Sequence, residues 1–294
     1  MNKVGFIGVG IMGKSMVRNL MKAGFELHIY ARTKSKVEDV ISEGAQFHES
    51  IKDCVQDCDA VITIVGFPQD VEEVYFDEGN ILDSAKKGAY LIDMTTTSPQ
   101  IAEKMYEEGT KRGFHVMDAP VTGGDTGAKA GTLSILVGGE KEDYEACMPL
   151  FEAMGTNINY QGKAGCGQHC KLANQIMIAG TLSGVCEALT YAKEQGLDPE
   201  VFMKSVATGA AGSKQLDTFG PKILKDDYAP GFFMKHFIKD MKLALIEANR
   251  KGLSLDVLSM VLANYEELEQ EGYGDLGTQA LMKFYDEEHR NTEE

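Results

Sequence analysis

The first residues that could serve chemistry are three closely spaced glycines. Gly8, Gly10 and Gly13 form the pattern G-x-G-x-x-G, which follows an apolar run at positions 4–7 and precedes an amphipathic helical pattern. This order predicts a strand, a tight turn and a helix whose N-terminus can hold the pyrophosphate of a dinucleotide. Gly8 would permit the turn, Gly10 would let the backbone approach the phosphates, and Gly13 would let the helix pack closely on the strand. The other residues predicted to line this turn are Val9, Ile11 and Met12. A turn with a purely structural role is the alternative.

A lysine and two amides form the second candidate group. Lys171, Asn174 and Gln175 are spaced i, i+3 and i+4, so a helix would place them on one face. A lysine near a helix N-terminus, partly desolvated beside a nicotinamide, would have its pKa lowered toward neutrality. Its amine could then exchange a proton with a carbonyl oxygen. The alternative is a surface lysine whose stem lies along the helix.

A hydroxyl followed by two glycines forms the third group. Thr122, Gly123 and Gly124 come directly after a predicted strand. The hydroxyl and the two backbone amides together would make a nest of donors suited to a carboxylate. The alternative is a β-turn that uses the glycines only for their backbone angles.

A basic cluster bears on which nicotinamide cofactor would bind. In NAD-binding folds an acidic residue about 20 positions beyond the glycines holds the ribose 2′-hydroxyl. Here Arg32 stands at that position, with Thr33, Lys34 and Lys36 beside it. A guanidinium can pair with a 2′-phosphate, which a carboxylate would repel. The cluster therefore favours NADP, with NAD possible if Arg32 is only a solvated loop charge.

The elements that would position these groups change in type near the middle of the chain. In the first half, predicted strands at residues 4–7, 27–30, 60–65, 90–93, 115–118 and 133–137 alternate with helical patterns. After a glycine-rich loop at 161–167 the patterns are helical, beginning with a long one at 168–195. This predicts an α/β Rossmann-type domain with a mainly parallel, doubly wound sheet at 1–162 and an all-α domain at 163–294.

Composition excludes several other classes. The net charge of −16 argues against a nucleic-acid partner, because phosphate binding needs a basic face. The six cysteines have no histidine cluster beside them, so we expect reduced thiols and no metal site. The apolar stretch at 172–189 contains polar residues and is expected to be a core helix, with no membrane partner. These features predict a cytoplasmic protein.

Four motifs, taken together and in order, resemble those of the β-hydroxyacid dehydrogenase family. They are the glycine turn and the segments at 118–124, 165–175 and 232–240. The family includes 3-hydroxyisobutyrate dehydrogenase, tartronate semialdehyde reductase and the glyoxylate/succinic semialdehyde reductases, and the resemblance covers essentially the whole chain. It implies hydride transfer between NADP(H) and a small hydroxy acid or semialdehyde, with Lys171 as the general acid and base.

The resemblance also assigns roles to residues elsewhere in the chain. It places the substrate beside Thr122, Gly123, Gly124, Asn174, Gln175, Phe233 and Lys239. It places the cofactor beside Val65, Gly66, Asp70, Thr96, Lys239 and Asp240, in addition to the glycine turn and Arg32, Thr33 and Lys36. Two positions depart from many family members, because Thr122 replaces a serine and Gln175 replaces an asparagine. Which of the two amides, at 174 or 175, touches the substrate stays open.

Three alternatives to this function share the fold. A phosphogluconate-type enzyme would need an arginine for the substrate phosphate, and none stands out. An imine-reducing relative and a non-catalytic cofactor-sensing or scaffold protein usually lack the lysine kept here at 171. The resemblance further predicts a homodimer or homotetramer assembled through the C-terminal domain.

Overall fold

The computed structural model describes residues 1–285, which divide into two compact units. The first unit is Met1–Lys171 and the second begins at Leu172. The division falls within a long helix, C-terminal to the predicted boundary at 162/163. Each unit has its own hydrophobic core.

The first unit is built on a twisted sheet. Within the described residues the sheet has nine strands. In chain order they are β1 (Lys3–Ile7), β2 (Glu26–Tyr30), β3 (Gln46–His48), β4 (Ala60–Thr63), β5 (Tyr90–Asp93), β6 (His115–Asp118), β7 (Val121–Thr122), β8 (Leu133–Gly138) and β9 (Gly155–Gly162). The spatial order is β3-β2-β1-β4-β5-β6-β8-β7, and β9 pairs with β8. The first six strands run parallel, and β8 runs antiparallel to β6.

Helices cover both faces of this sheet. They are α1 (Ile11–Lys22), α2 (Glu38–Ser42), α3 (Ile51–Val55), α4 (Pro68–Phe76), α5 (Ile81–Ser84), α6 (Pro99–Lys111), α7 (Gly124–Ala130), α8 (Lys141–Ala146) and α9 (Met148–Met154). Successive strand residues alternate between faces, so Phe6 packs in one buried cluster and Ile7 in another. Burial on both faces explains why the central strands are continuous apolar runs.

The second unit is helical. Its helices are α10 (Cys166–Glu194), which begins in the first unit, α11 (Pro199–Ala207), α12 (Lys214–Ile223), α13 (Met234–Arg250) and α14 (Asp256–Gln270). Two 3₁₀ segments, Tyr273–Asp275 and Thr278–Tyr285, follow. Phe237 and Tyr265 cross edge to face in the core of this unit, with ring centroids 5.4 Å apart. The predicted α/β domain with a mainly parallel sheet, followed by a helical domain, is confirmed.

Several local predictions were incomplete. Strands β3, β7 and β9 were not predicted, because their residues lack a sustained apolar run. The pattern at 142–154 forms two helices, α8 and α9, since Pro149 lies at the start of the second. Residues 278–285 form a 3₁₀ segment. Among the described residues, α10 alone is long and apolar enough to pass a length-and-composition test for a membrane span, a test that core helices also pass.

Candidate active site

The glycine turn joins β1 to α1. Gly8 has φ +97°, a conformation that favours glycine, and a Cβ there would collide with the Ile64 carbonyl oxygen. A Cβ on Gly13 would collide with the Gly8 carbonyl oxygen, so α1 packs directly on the turn. A Cβ on Gly10 would have no heavy atom within 4 Å. The turn is therefore tight on the protein side and open at Gly10, which fits a backbone that approaches a pyrophosphate.

The basic cluster after β2 is joined to the first turn of α4. Arg32 Nη2 lies 3.0 Å from Asp70 Oδ1. The arginine side chain is 71% exposed and the aspartate side chain 16%. Asp70 Oδ2 also accepts a bond of 2.9 Å from the Phe67 amide at the start of α4. Two predicted cofactor residues thus lie together, but a carboxylate occupies one edge of the guanidinium proposed for a 2′-phosphate.

A buried polar network lies where β4 and β5 end. Asp93 Oδ1 accepts from Thr63 Oγ1 at 2.7 Å and from the Thr95 amide at 3.2 Å. The Val65 amide in turn donates to Thr95 Oγ1 at 3.0 Å. Burial raises the pKa of Asp93 from 3.8 to about 6. The network holds the loops that carry the predicted cofactor residues Val65 and Thr96.

The Thr122-Gly123-Gly124 turn lies between β7 and α7. Thr122 pairs with Ser134 of β8 in an antiparallel register. Gly123 and Gly124 have φ +132° and +63°. Both glycines are needed for this backbone, because side chains are disfavoured at these angles. Asp125 follows in the first turn of α7. Its carboxylate lies 4.0 Å from Lys129 Nζ, one turn further along α7.

A buried carboxylate holds the start of α10. Asp118 Oδ1 accepts from the Gly165 amide and Oδ2 from the Gln168 amide, each at 2.8 Å. Burial raises the pKa of Asp118, and these two bonds oppose the rise. The first turn of α10 packs closely against Asp118, since a Cβ on Gly167 would lie 2.8 Å from Asp118 Oδ2. The N-terminus of α10 is thereby fixed to the end of β6.

Gln168 links this helix end to a second loop. Its Oε1 accepts from the Thr97 amide at 3.0 Å, and its Nε2 donates to the Thr95 carbonyl at 2.7 Å. The side chain is fully buried. Lys171 follows three residues later, nearly one turn along α10, and is only 7% exposed. A lysine this buried is not a solvated surface residue.

The second unit contains a chain of four predicted residues. Asn174 Nδ2 donates to Gln175 Oε1 at 2.8 Å, and Gln175 Nε2 donates to Asp240 Oδ2 at 2.7 Å. Asp240 Oδ1 lies 3.0 Å from Lys239 Nζ. Gln175 and Asp240 are buried, and their hydrogen bonds and ion pair hold Asn174 and Lys239 in place. Of the two amides left open by the sequence, Asn174 is the more accessible.

The remaining predicted residues lie outside these networks. Phe233 caps α13, forms a β-bridge with Gly277, and has Lys235 Nζ 5.3 Å from its ring centroid. Thr33 caps the 3₁₀ segment Lys34–Lys36, where it is exposed. Residues 1–285 contain no cluster of three or more histidine, cysteine or acidic side chains arranged to hold a metal ion.

Two family models together match nearly the whole chain. The NAD-binding domain of 6-phosphogluconate dehydrogenase matches residues 3–162. The NAD-binding domain of NADP-dependent 3-hydroxyisobutyrate dehydrogenase matches residues 165–285.

The chain belongs to the β-hydroxyacid dehydrogenase family.

Named relatives of this β-hydroxyacid dehydrogenase agree with that assignment. An uncharacterized oxidoreductase of Bacillus subtilis, YkwC, is 49% identical, covering 96% of this chain and 98% of its own. The probable 3-hydroxyisobutyrate dehydrogenase-like 1 of Arabidopsis thaliana is 44% identical over 95% of this chain and 84% of its own. A solved 3-hydroxyisobutyrate dehydrogenase of Mycobacterium tuberculosis with L-serine has a TM-score of 0.88 and 26% identity, covering 96% and 98% of the two chains. The protein is therefore an NAD(P)-dependent oxidoreductase of hydroxy acids.

Sequence reasoning missed three residues of this β-hydroxyacid dehydrogenase. Asp93, Asp118 and Gln168 are buried and support the loops that carry predicted site residues. Asp93 and Asp118 each end a predicted parallel strand, a position where polar side chains often serve a site. That signal could have found them. Gln168 had no comparable signal, because its partners are 71 and 73 residues away along the chain.

Proposed function

We propose that this enzyme interconverts a short hydroxy acid and its semialdehyde or oxo acid, with NADP(H) as the preferred cofactor and Lys171 as the proton carrier. The observation that carries the proposal is the burial of Lys171 on a helix whose start is fixed by Asp118. A lysine buried on a helix start fixed in this way is restrained in position and largely removed from water. Both properties suit a general acid and base.

The proposed step at Lys171 is a proton transfer to or from the substrate oxygen. The nicotinamide, when bound, supplies or accepts the hydride at the substrate carbon. In reduction the Lys171 ammonium gives a proton to the developing alkoxide; in oxidation the neutral amine takes the hydroxyl proton. The surrounding burial strengthens the attraction between the ammonium and the developing negative charge.

The substrate class follows from the proposed binding group. Thr122, Gly123 and Gly124 offer a hydroxyl and two backbone amides, which suit one carboxylate. The residues proposed to contact substrate include no arginine, so a phosphate-bearing substrate is disfavoured. A compact carboxylate therefore fits this binding group.

The cofactor proposal depends on Arg32. Its guanidinium is exposed and flanked by Lys34 and Lys36, which supports a 2′-phosphate partner. The ion pair with Asp70 supports the second candidate, an enzyme that also uses NAD, because the carboxylate competes for the guanidinium.

We also propose a cytoplasmic homodimer or homotetramer that binds neither nucleic acid nor membrane. Exposed apolar side chains on the second unit support assembly with further copies. They include Met177 and Tyr191 of α10, Val201 of α11, and Val257 and Met260 of α14. Light scattering that shows a monomer at micromolar concentration would contradict this assembly.

The test of the function is a substrate panel. The enzyme would be assayed spectrophotometrically with glyoxylate, succinic semialdehyde, tartronate semialdehyde and 3-hydroxyisobutyrate, with NADP(H) and NAD(H) in the appropriate direction. We expect turnover of at least one of these compounds, with a higher kcat/KM for the phosphorylated cofactor. Turnover of none of the four compounds would contradict the proposal, as would full activity of Lys171→Ala on the substrate found.

A further inference from the structure

The side chain of Gln168 connects two parts of the first unit whose relative position matters for the proposed reaction. It is 0% exposed, and its carboxamide uses both ends. Oε1 accepts from the Thr97 amide at 3.0 Å, and Nε2 donates to the Thr95 carbonyl at 2.7 Å. A glutamine bonded in this way, once as acceptor and once as donor, holds a single orientation.

One end of this connection is the loop that carries Thr96. The two backbone groups bonded by Gln168 belong to Thr95 and Thr97, so they lie on either side of Thr96. Thr95 is held from the other direction as well, because its amide donates to Asp93 Oδ1 at 3.2 Å. The loop therefore depends on Gln168 for its position on the side facing α10.

The other end is the first turn of α10. The Gln168 amide donates to Asp118 Oδ2 at 2.8 Å, which fixes the residue to the end of β6. A Cβ on Gly167 would collide with the Leu136 carbonyl oxygen, so the helix start has no room to move toward the sheet. Lys171 lies nearly one turn further along the same rigid helix. Any shift of the Thr95–Thr97 backbone relative to Gln168 is thus a shift relative to Lys171.

We propose that Gln168 is a positioning residue of the reaction, which holds the Thr96 loop at a set distance from the Lys171 amine. The inference rests on the proposed function, in which Thr96 lies beside the nicotinamide and Lys171 exchanges the proton. Hydride and proton transfer both require close alignment, and a displacement of about 1 Å can cost on the order of 10²-fold in rate. Gln168 acts through these two neighbours and is not itself a catalytic residue.

The proposed role requires a side chain that accepts one hydrogen bond and donates another. Methionine has a similar length but makes neither bond. An ionised glutamate can accept from Thr97 but cannot donate to Thr95, and its charge faces the Thr95 carbonyl oxygen. A protonated glutamate can do both, since its hydroxyl donates while its carbonyl accepts.

The experiment compares Gln168→Met, Gln168→Glu and a matched control, Gln279→Met. Gln279 is also buried and donates to the Asp227 and Ala229 carbonyls, so its loss destabilises the fold without touching the Thr96 loop. We expect Gln168→Met to lower kcat by about 10- to 100-fold, with KM changed much less. Gln279→Met should keep kcat within about twofold at a similar loss of Tm.

The pH profile of Gln168→Glu supplies a second, independent measurement. Its kcat relative to that of the wild type should rise as pH falls, because protonation restores the donor to the Thr95 carbonyl. A flat ratio across the pH range in which the introduced carboxyl ionises would overturn the proposal, and so would a Gln168→Met enzyme that loses no more kcat than the Gln279→Met control. If Gln168→Met fails to fold, the glutamate profile decides the question alone.

A readout without turnover separates this inference from the proposed function. Time-resolved fluorescence anisotropy of bound NADPH should show a more mobile nicotinamide in Gln168→Met than in the wild type and in Gln279→Met. An inactive wild type with this difference would refute the proposed substrates and keep the positioning role. An active wild type with unchanged anisotropy and kcat in Gln168→Met would refute the positioning role alone.

Discussion

Replacing Asp70 with asparagine tests how the Arg32 region selects between cofactors. Asp70 lies 3.0 Å from Arg32 and would also lie near a 2′-phosphate bound to that guanidinium. Asparagine removes the negative charge but keeps a side-chain oxygen, so it can still accept from the Phe67 amide and cap α4. The substitution therefore tests the effect of the charge while the start of α4 keeps its structure.

The size of the effect follows from Coulomb's law. A phosphate that shares Arg32 with Asp70 stays within about 6 Å of the carboxylate, where two unit charges in water repel by about 0.7 kcal/mol. A phosphate with a charge of about −1.5 to −2 raises this to about 1 kcal/mol or slightly more. Salt screens part of the repulsion, because Arg32 is 71% exposed. We therefore expect Asp70→Asn to bind NADPH about three- to tenfold more tightly, with NADH changed by less than about twofold.

The assay is a fluorescence titration of NADPH and NADH at low and at physiological ionic strength. Glu72→Gln is the matched control, because it removes one charge from the same helix at a residue that pairs with Lys104 and not with Arg32. The gain for NADPH should shrink as salt is added. If Asp70→Asn binds both cofactors equally more tightly, or NADPH no more tightly than Glu72→Gln does, Asp70 does not oppose a 2′-phosphate and the reasoning is wrong.

Three further predictions concern the lysine and the two buried carboxylates. Lys171→Ala should lower kcat by about 10² or more and leave the Kd for NADPH unchanged, because it removes only the proposed proton carrier; near-normal turnover would refute the mechanism. Asp93 has a pKa raised from 3.8 to about 6, so the native state binds more protons than the unfolded state between these values, and the free energy of unfolding should fall by about 3 kcal/mol as pH rises through them. Urea unfolding of Asp93→Asn should lack this fall, and parallel profiles for variant and wild type would contradict the assignment. Asp118→Ala loses two backbone bonds to a carboxylate at the start of α10 and should cost about 3–5 kcal/mol of unfolding free energy, with denaturation at pH 7 as the check.

The sequence by itself determined the fold class and the family. The glycine spacing at 8, 10 and 13, the alternation of apolar runs and helical patterns, and the helical second half are local signals, because each depends on neighbours a few residues away. Local signals were also sufficient for the central strands, since burial on both faces requires continuous apolar runs. Strands β3, β7 and β9 carried too little apolar pattern to be predicted, because their pairing partners define them.

The tertiary structure decided which polar groups support the site. The pairing of Arg32 with Asp70 joins residues 38 positions apart, and it places a carboxylate on the guanidinium that we propose for a 2′-phosphate. The bonds from Gln168 to Thr95 and Thr97, and from Gln175 to Asp240, span still larger separations. Such partners cannot be deduced from spacing, because they depend on where strand ends and helix starts meet in the folded chain. Residue types thus indicated the chemistry. The fold determined which partners hold those residues in place.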